Sequence, residues 1–287
     1  GIGIINKIKI KIMDINIWSD VRCPFCYIGK RKFEMALEKF PHKDKVKVVW
    51  QSFELDPNLK TNTAVSAIDH LSEAKGISKA QAEGMQEHVA NIAKEVGLDF
   101  NSKNTVVANS FKAHRLIQLA KAKGLGNEVE EALFKTYFVE GKNIDDKETL
   151  LKIGTSIGLD EGDVKAIFSS DAFVKEVRQD EKQAQSIGIN GVPFFVLNNK
   201  YAVSGAQSPE TFLDVLEQTW EEFEKLLDEK GGFVSAHWDG TAETEDAIKE
   251  KTKATIRCIP LNNEKEEGKC ILTGKPSSQR VLFARAY

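Results

Sequence analysis

Ser19-Asp-Val-Arg-Cys-Pro-Phe-Cys-Tyr-Ile-Gly-Lys30 marks the point where an apolar run (Ile15, Ile17, Trp18) stops and a long amphipathic pattern begins. The stretch reads as strand, turn and helix. Cys23 then stands at the N-cap and Pro24 at the first helical position, where proline loses nothing by lacking an N–H and its φ is preset for the helix. Cys26 falls within the first turn. The unpaired amides and the positive end of the helix dipole favour a thiolate at Cys23, so its pKa is predicted to fall below the free value of about 8.5. A second thiol two residues on, at Cys26, can attack any mixed disulfide that forms on Cys23, which reversible dithiol–disulfide chemistry requires.

A C-x-x-C pair is also a common half of a zinc site, but zinc needs four ligands. The only other cysteines, Cys258 and Cys270, lie far along the chain and form no second C-x-x-C. The five histidines (His42, His70, His88, His114, His237) show no paired ligand spacing. Redox work is therefore the reading of Cys23 and Cys26, and no metal is expected.

Outward from this motif, Asp14 to Trp18 reads as a strand and Pro24 to Phe40 as a helix ending at Pro41. Val46 to Phe53 reads as a second strand before the turn signal Asp56-Pro57-Asn58, completing a βαβ unit. From about residue 60 to 187 the pattern is helical, punctuated by Lys75-Gly76, Val96-Gly97, Gly124-Leu-Gly126, Gly141 and Ile157-Gly158. Strand character returns at Val192-Pro-Phe-Phe-Val-Leu197, followed by the hairpin signal Asn198-Asn199 and a short strand, Tyr201 to Ser204. Ser208 then caps a last helix that opens with Pro209 and puts Phe212, Leu213, Leu216 and Trp220 on one face. The sheet is thus split around a large insertion. A proline opening an apolar strand is unusual. A cis Val192–Pro193 bond would hold the Val192 backbone groups against the Cys23 sulfur, where a substrate chain could pair with them.

Composition narrows the class. The chain has 287 residues, 41% of them hydrophobic, which exceeds one average domain and suffices for a substantial core. A net charge of −3 with evenly mixed Lys and Glu leaves no basic footprint for nucleic acid. No stretch approaches eighteen uncharged apolar residues, so no membrane span is expected, and no secretory h-region is recognisable. Gly1 to Ile12 alternates Ile with Lys or Asn and reads as a leader or an extra strand before Met13, a candidate start. Few cysteines without a signal peptide point to the reducing cytoplasm, where persisting disulfides are usually catalytic.

Three motifs in order, SDVRCPFCYIGKRKFE, NSFKAHRL (Asn109 to Leu116) and GINGVPFFVLNNKYAVSGAQ (Gly188 to Gln207), resemble the FrnE-like branch of the DsbA family, over about residues 13 to 220. That resemblance implies an α/β thioredoxin fold split by a large all-helical insertion, and thiol–disulfide exchange with protein or small-molecule thiols and disulfides. By it, Cys23 is the nucleophile, Cys26 the resolving thiol and Pro193 the cis-proline of the substrate groove, with Val192, Pro24 and Phe25 beside the substrate. Phe25 stands where relatives usually carry Trp. The same fold serves 2-hydroxychromene-2-carboxylate isomerases and kappa-class glutathione transferases, which place a serine at the Cys23 position. A glutathione-dependent isomerase or transferase is therefore the alternative, and glutathione is the one co-substrate considered; no other cofactor is expected. The protein is expected to be a monomer or homodimer.

His114 and Arg115 open an insertion helix and could bind substrate or glutathione, although such a pair usually forms a capped, solvated edge. Phe134, Tyr137 and Phe138 could line an apolar groove near the cysteines, yet at helical spacing they read as core.

After Trp220 the character changes. Glu221 to Lys230 reads as charged helix, Gly231-Gly232 breaks it, and residues 233 to 287 carry their own pattern of strands around a helix from Thr244 to Thr252. GGFVSAHWDGTAETEDAIKEKTKATIRCIPL and GKCILTGKP…RVLFARAY resemble the C-terminal module of archaeal and eukaryotic-type prolyl-tRNA synthetases, from about residue 221 to 287, as a small α+β module. Neither a class II catalytic core nor an anticodon-binding domain has room in the remainder, so aminoacylation is not expected. Some such modules hold zinc through four cysteines; the matching positions here are Asp239, Thr244, Cys270 and Thr273, which cannot close a tetrahedral site.

Overall fold

A computed structural model describes residues 12–228, 233–237, 240–252, 254–258, 268–270, 273, 275–277 and 280–285. The leader or extra strand expected over residues 1–12 lies, except for Ile12, outside the described residues. The chain divides into two compact units, Gly1–Glu217 and Gln218–Tyr287.

In the first unit, Met13, Ile15 and Ile17 turn inward while Asp14 and Asn16 turn out, and β1 (Met13–Ser19) becomes fully buried over its last three residues. That is the pattern of a central strand covered on both faces. Pro24 opens α1 (Pro24–Lys39), whose buried face includes Tyr27, Ile28, Phe33 and Ala36. The helix ends before Pro41 and returns the chain to β2 (Val46–Ser52), which pairs parallel to β1 with Ser19 opposite Ser52.

The insertion follows. It is largely helical, but it also contains a two-stranded antiparallel ladder, β3 (Asn62–Ser66) against β4 (Val106–Val107), so the expected all-helical insertion is corrected in this detail. β-branched Thr63, Val65, Val106 and Val107 suit a strand better than a helix. Between those strands lie α2 (Ala67–Lys75) and α3 (Lys79–Glu95), the latter opened by a capping box between Ser78 and Gln81. After them come α4 (Phe111–Ala122), α5 (Gly126–Phe134), a π-helical turn over Lys135–Val139, α6 (Lys147–Ser156), α7 (Glu161–Ser169) and α8 (Val174–Ser186).

β5 (Phe194–Leu197) then returns to pair antiparallel with β1, placing Phe194 opposite Trp18, and β6 (Tyr201–Ser204) completes a sheet of order β2-β1-β5-β6. A bare edge at β2 would offer unpaired backbone groups. Here the Asp180 carboxylate on α8 accepts from the Ser52 amide at 2.9 Å and from Gln118 at 2.6 Å, while the Asp180 carbonyl accepts from the Trp18 indole at 3.0 Å. The insertion thus caps the C-terminal end of β2, the edge strand of the sheet it interrupts. Ser208 caps α9 (Pro209–Asp228) by accepting from the Thr211 amide at 3.1 Å, and Phe212 packs at 4.6 Å from Phe195. Residues 221–228, read from sequence as a charged helix of the tail, continue α9 without a break, because no Gly or Pro interrupts it.

The second unit contains β7 (Phe233–His237), α10 (Ala242–Thr252), β8 (Ala254–Cys258), β9 (Gly268–Lys269), β10 (Pro276–Ser277) and β11 (Arg280–Arg285). β11 lies antiparallel between β7 and β8, and β9 pairs with β10. No helix among the described residues is long and apolar enough to cross a membrane.

Candidate active site

The turn between β1 and α1 builds the site. The Cys23 amide donates to the Asp20 carbonyl at 3.0 Å, which sets Cys23 in extended geometry (φ −87°, ψ 113°) as the N-cap of α1. Pro24 is the first helical residue, and the Cys26 amide donates to the Cys23 carbonyl at 3.1 Å. Both thiols are free and buried, Cys26 at 1% exposure and Cys23 at 6%, whereas Phe25 between them is 39% exposed.

The two sulfurs differ in electrostatics. A hydrogen bond from the Cys26 thiol holds the Cys23 pKa below its ordinary value, helped by the amides of Cys26 and Phe25 and opposed by burial and the Asp20 charge. Burial pushes Cys26 well above the usual thiol range, and the neighbouring Cys23 adds to the effect. The helix start contributes through its amides, as the sequence suggests, but the largest single cause is the second thiol.

Across from the dithiol, the Val192–Pro193 peptide is cis, and the Cys23 thiol lies 3.5 Å from the Val192 carbonyl, to which it can donate. This loop is seated on α1 at Gly29, where an added Cβ would meet Pro193 Cγ at 3.1 Å and the Ala206 backbone at 3.6 Å. Cys23, Cys26, Pro24, Phe25, Val192 and Pro193 therefore come together.

His114 does not join them at the surface. It is 0% exposed, which overturns the solvated-edge reading and leaves no face for a substrate ligand. Its Nε2 instead lies 3.1 Å from Asp20 Oδ1, both side chains fully buried beneath the turn that carries Cys23. Although burial alone would lower it, the Asp20 carboxylate raises the His114 pKa. Asp20, despite burial, is held below the usual carboxylate range by His114 and by the Leu55 amide, which donates to Oδ2 at 2.8 Å. Glu130 on α5 completes the cluster: at 1% exposure, with Oε2 lacking a hydrogen-bond partner, its pKa is pushed up to about 7 by burial. Arg115 turns away and donates to the carbonyls of Ala172 and Ser170, a structural role.

Phe134, Tyr137 and Phe138 are all buried, with Phe134 stacked on Tyr27 at 4.9 Å and Phe138 on Phe100 at 4.8 Å, so the core reading holds. Asp20, Arg22, Gly29 and Glu130 escaped the sequence reading. Asp20 and Arg22 stand inside the motif itself, and Glu130 precedes Leu133 and Phe134 by three and four positions, a signal that it shares their buried face. In the second unit, Thr244 and Cys270 are buried, and among the described residues no group of three metal-ligating side chains forms. Asp239 and the Cys258 side chain lie outside the described residues.

Comparison with known proteins agrees with this architecture. Residues 220–287 match the prolyl-tRNA synthetase C-terminal family. Over 68 residues there the chain is 66% identical to a proline–tRNA ligase of Flavobacterium johnsoniae, covering 24% of this chain but 14% of that protein. The chain thus spans a small fraction of the length of such relatives. Among solved structures, a probable DsbA oxidoreductase from Streptomyces coelicolor superposes with a TM-score of 0.69 at 38% identity, over 73% of this chain and 91% of that one. A 2-hydroxychromene-2-carboxylate isomerase shares the fold at 15% identity and a TM-score of 0.51, over 74% and 96% of the two chains. With residues 14–217 matching it across the sheet, the insertion and the dithiol turn, the chain belongs to the DSBA-like thioredoxin domain family.

Proposed function

We propose that the chain is a thiol–disulfide oxidoreductase in which Cys23 attacks and Cys26 resolves. The observation that carries this reading is the asymmetry of the pair: one sulfur at a helix N-cap with a depressed pKa, hydrogen-bonded by a second that burial holds as a thiol. The Cys23 thiolate attacks a substrate disulfide, forming a mixed disulfide and expelling one substrate thiolate. Cys26 then attacks the Cys23 sulfur, its proton passing to the second departing sulfur, so that the substrate gains two electrons and the protein is oxidised to the Cys23–Cys26 disulfide. The reverse sequence oxidises a dithiol. Val192, Pro193, Pro24 and Phe25 form the substrate wall, and a small thiol such as glutathione serves as co-substrate in the cytoplasm.

Insulin reduction by dithiothreitol tests the activity: the protein should accelerate it, and Cys23→Ala should not. Cys26→Ala should accumulate mixed disulfides detectable by intact mass. In the wild-type protein, Cys23 should be alkylated much faster than Cys26 near pH 7. Equal alkylation rates would remove the assigned roles, and no acceleration over dithiothreitol alone would remove the activity.

A further inference from the structure

Asp20 ties together three segments that meet under the dithiol. Its carbonyl accepts from the Cys23 amide at 3.0 Å, closing the turn that carries the nucleophile. Its Oδ1 accepts from the Arg22 amide at 3.4 Å and its Oδ2 from the Leu55 amide at 2.8 Å, so the carboxylate also anchors the chain leaving β2. From α4, His114 Nε2 reaches the same Oδ1 at 3.1 Å, and neither side chain has any exposed surface. A carboxylate in this place works against Cys23. The hydrogen bond across the turn keeps the Cα atoms of Asp20 and Cys23 within about 7 Å. At that range, in an interior that water does not screen, a bare negative charge opposes a second one on the sulfur.

A proton on His114 removes that opposition. Imidazolium and carboxylate in contact form a neutral unit, and the sulfur then meets a dipole instead of a charge. The surroundings favour the proton: Asp20 faces the ring from the β1–α1 turn, Glu130 from α5 and Glu54 from the segment after β2. Glu54 is itself paired with Arg178 of α8, and Glu130 is faced by Lys30 of α1 and Lys121 of α4. One turn along α4, Gln118 and Lys121 meet Asp180 of α8. Burial opposes the charge, as does the positive end of α4, on whose first turn His114 stands. The contact with Asp20 prevails over both, which leaves the ring easier to protonate than a free histidine.

We propose that His114 is a positioning residue of the exchange site: through Asp20 it holds the Cys23 turn, and as the buried cation of the pair it cancels the carboxylate charge beneath the attacking sulfur. The inference rests on the exchange reading above and adds to it a residue from the helical insertion. Such a coupling is reciprocal. Charge on His114 favours the Cys23 thiolate, so the thiolate favours charge on His114. When Cys23 and Cys26 join in their disulfide, the sulfur carries no charge and His114 loses that support.

The test follows both partners in the full-length protein. By nuclear magnetic resonance, the His114 ring should titrate with a higher midpoint in the reduced than in the oxidised wild type, by roughly half a pH unit or more. Iodoacetamide alkylation of Cys23, read by peptide mass across pH, measures the other side. In His114→Gln, which keeps a hydrogen-bond donor but carries no charge, the Cys23 midpoint should rise by about one pH unit, slowing alkylation about tenfold below the wild-type midpoint. Asp20→Asn should lower the midpoint. The double variant Asp20→Asn/His114→Gln should return it close to wild type, because both charges are gone, whereas a merely structural pair would leave it at least as impaired as His114→Gln. Circular dichroism shows whether the variants fold, and the wild-type titration decides the matter if they do not. A His114 midpoint unmoved by oxidation, or a double variant no better than His114→Gln, overturns the proposal. Failure of the reduced wild type to form the Cys23–Cys26 disulfide with hydroxyethyl disulfide would instead remove the exchange reading itself.

Discussion

Replacing Glu130 by Gln isolates the cost of a buried carboxyl under the dithiol. In the folded protein this group is 1% exposed, one of its oxygens has no hydrogen-bond partner, and burial raises its pKa from 4.5 to about 7. Between those two values the unfolded chain has released the proton and the folded chain has kept it, so stability falls as pH rises. At about 1.4 kcal/mol for each pH unit, the loss from this group approaches about 3 kcal/mol by pH 8. Glu130→Gln keeps the shape and removes the titration. Urea unfolding of both proteins at pH 4 and pH 8 should show the variant gaining about 3 kcal/mol on the wild type between the two conditions. The absolute offset between the proteins is irrelevant to the test, because the amide does not titrate and its hydrogen bonding is the same at both pH values. A difference between the proteins that is the same at pH 4 and pH 8 would refute the account of Glu130 as a buried acid that folding holds protonated.

His114→Gln should cost about 3 to 5 kcal/mol in urea unfolding near pH 6, because it strands the Asp20 carboxylate, and a loss below about 1 kcal/mol would contradict the ion pair. The pair has its own pH window. With the His114 pKa raised, its contribution is complete below about 6.5 and fades as pH rises through the raised value; with the Asp20 pKa lowered, it is complete above about 3.8 and fades as pH falls through the depressed value. Nuclear magnetic resonance titration of the His114 ring should therefore give a midpoint above the usual histidine value, and a lower midpoint would contradict it. Gly29→Ala should slow insulin reduction, since the new methyl meets Pro193 Cγ at 3.1 Å and must push the Val192–Pro193 loop aside, while the helix-propensity gain of about 1 kcal/mol offsets the clash in stability; an unchanged reduction rate would mean that the loop gives way freely. Elemental analysis of chelator-washed protein should find far less than one zinc per chain, and stoichiometric zinc would overturn the reading of Thr244, Cys270 and Thr273 as an incomplete ligand set.

Local chemistry made the frame legible. Proline after Cys23, serine before Pro209 and the alternation from Met13 to Ile17 each act within a few residues, through φ, a cap or a pleat, and the structure has α1, α9 and β1 where those signals stand. The spacing of Cys23 and Cys26 likewise announced a dithiol at a helix start. What pattern could not show was the partner of each buried polar group. His114 reads as a solvated helix edge until Asp20, 94 residues earlier, is brought against it, and Lys30 and Glu130 look like surface residues until α5 packs on α1 and α4. Periodicity reports which face of an element is apolar, whereas a buried charge is stabilised by a few specific contacts, at least one of them from a distant segment. The same limit hid the ladder of β3 with β4, a two-residue strand whose partner lies about forty residues earlier in the chain. The sequence by itself determined where the elements begin and which sulfur stands at a helix N-cap; the electrostatic difference between Cys23 and Cys26, and the charges gathered beneath and beside them, were decided only when distant segments met, because burial and hydrogen bonding are properties of the assembled interior.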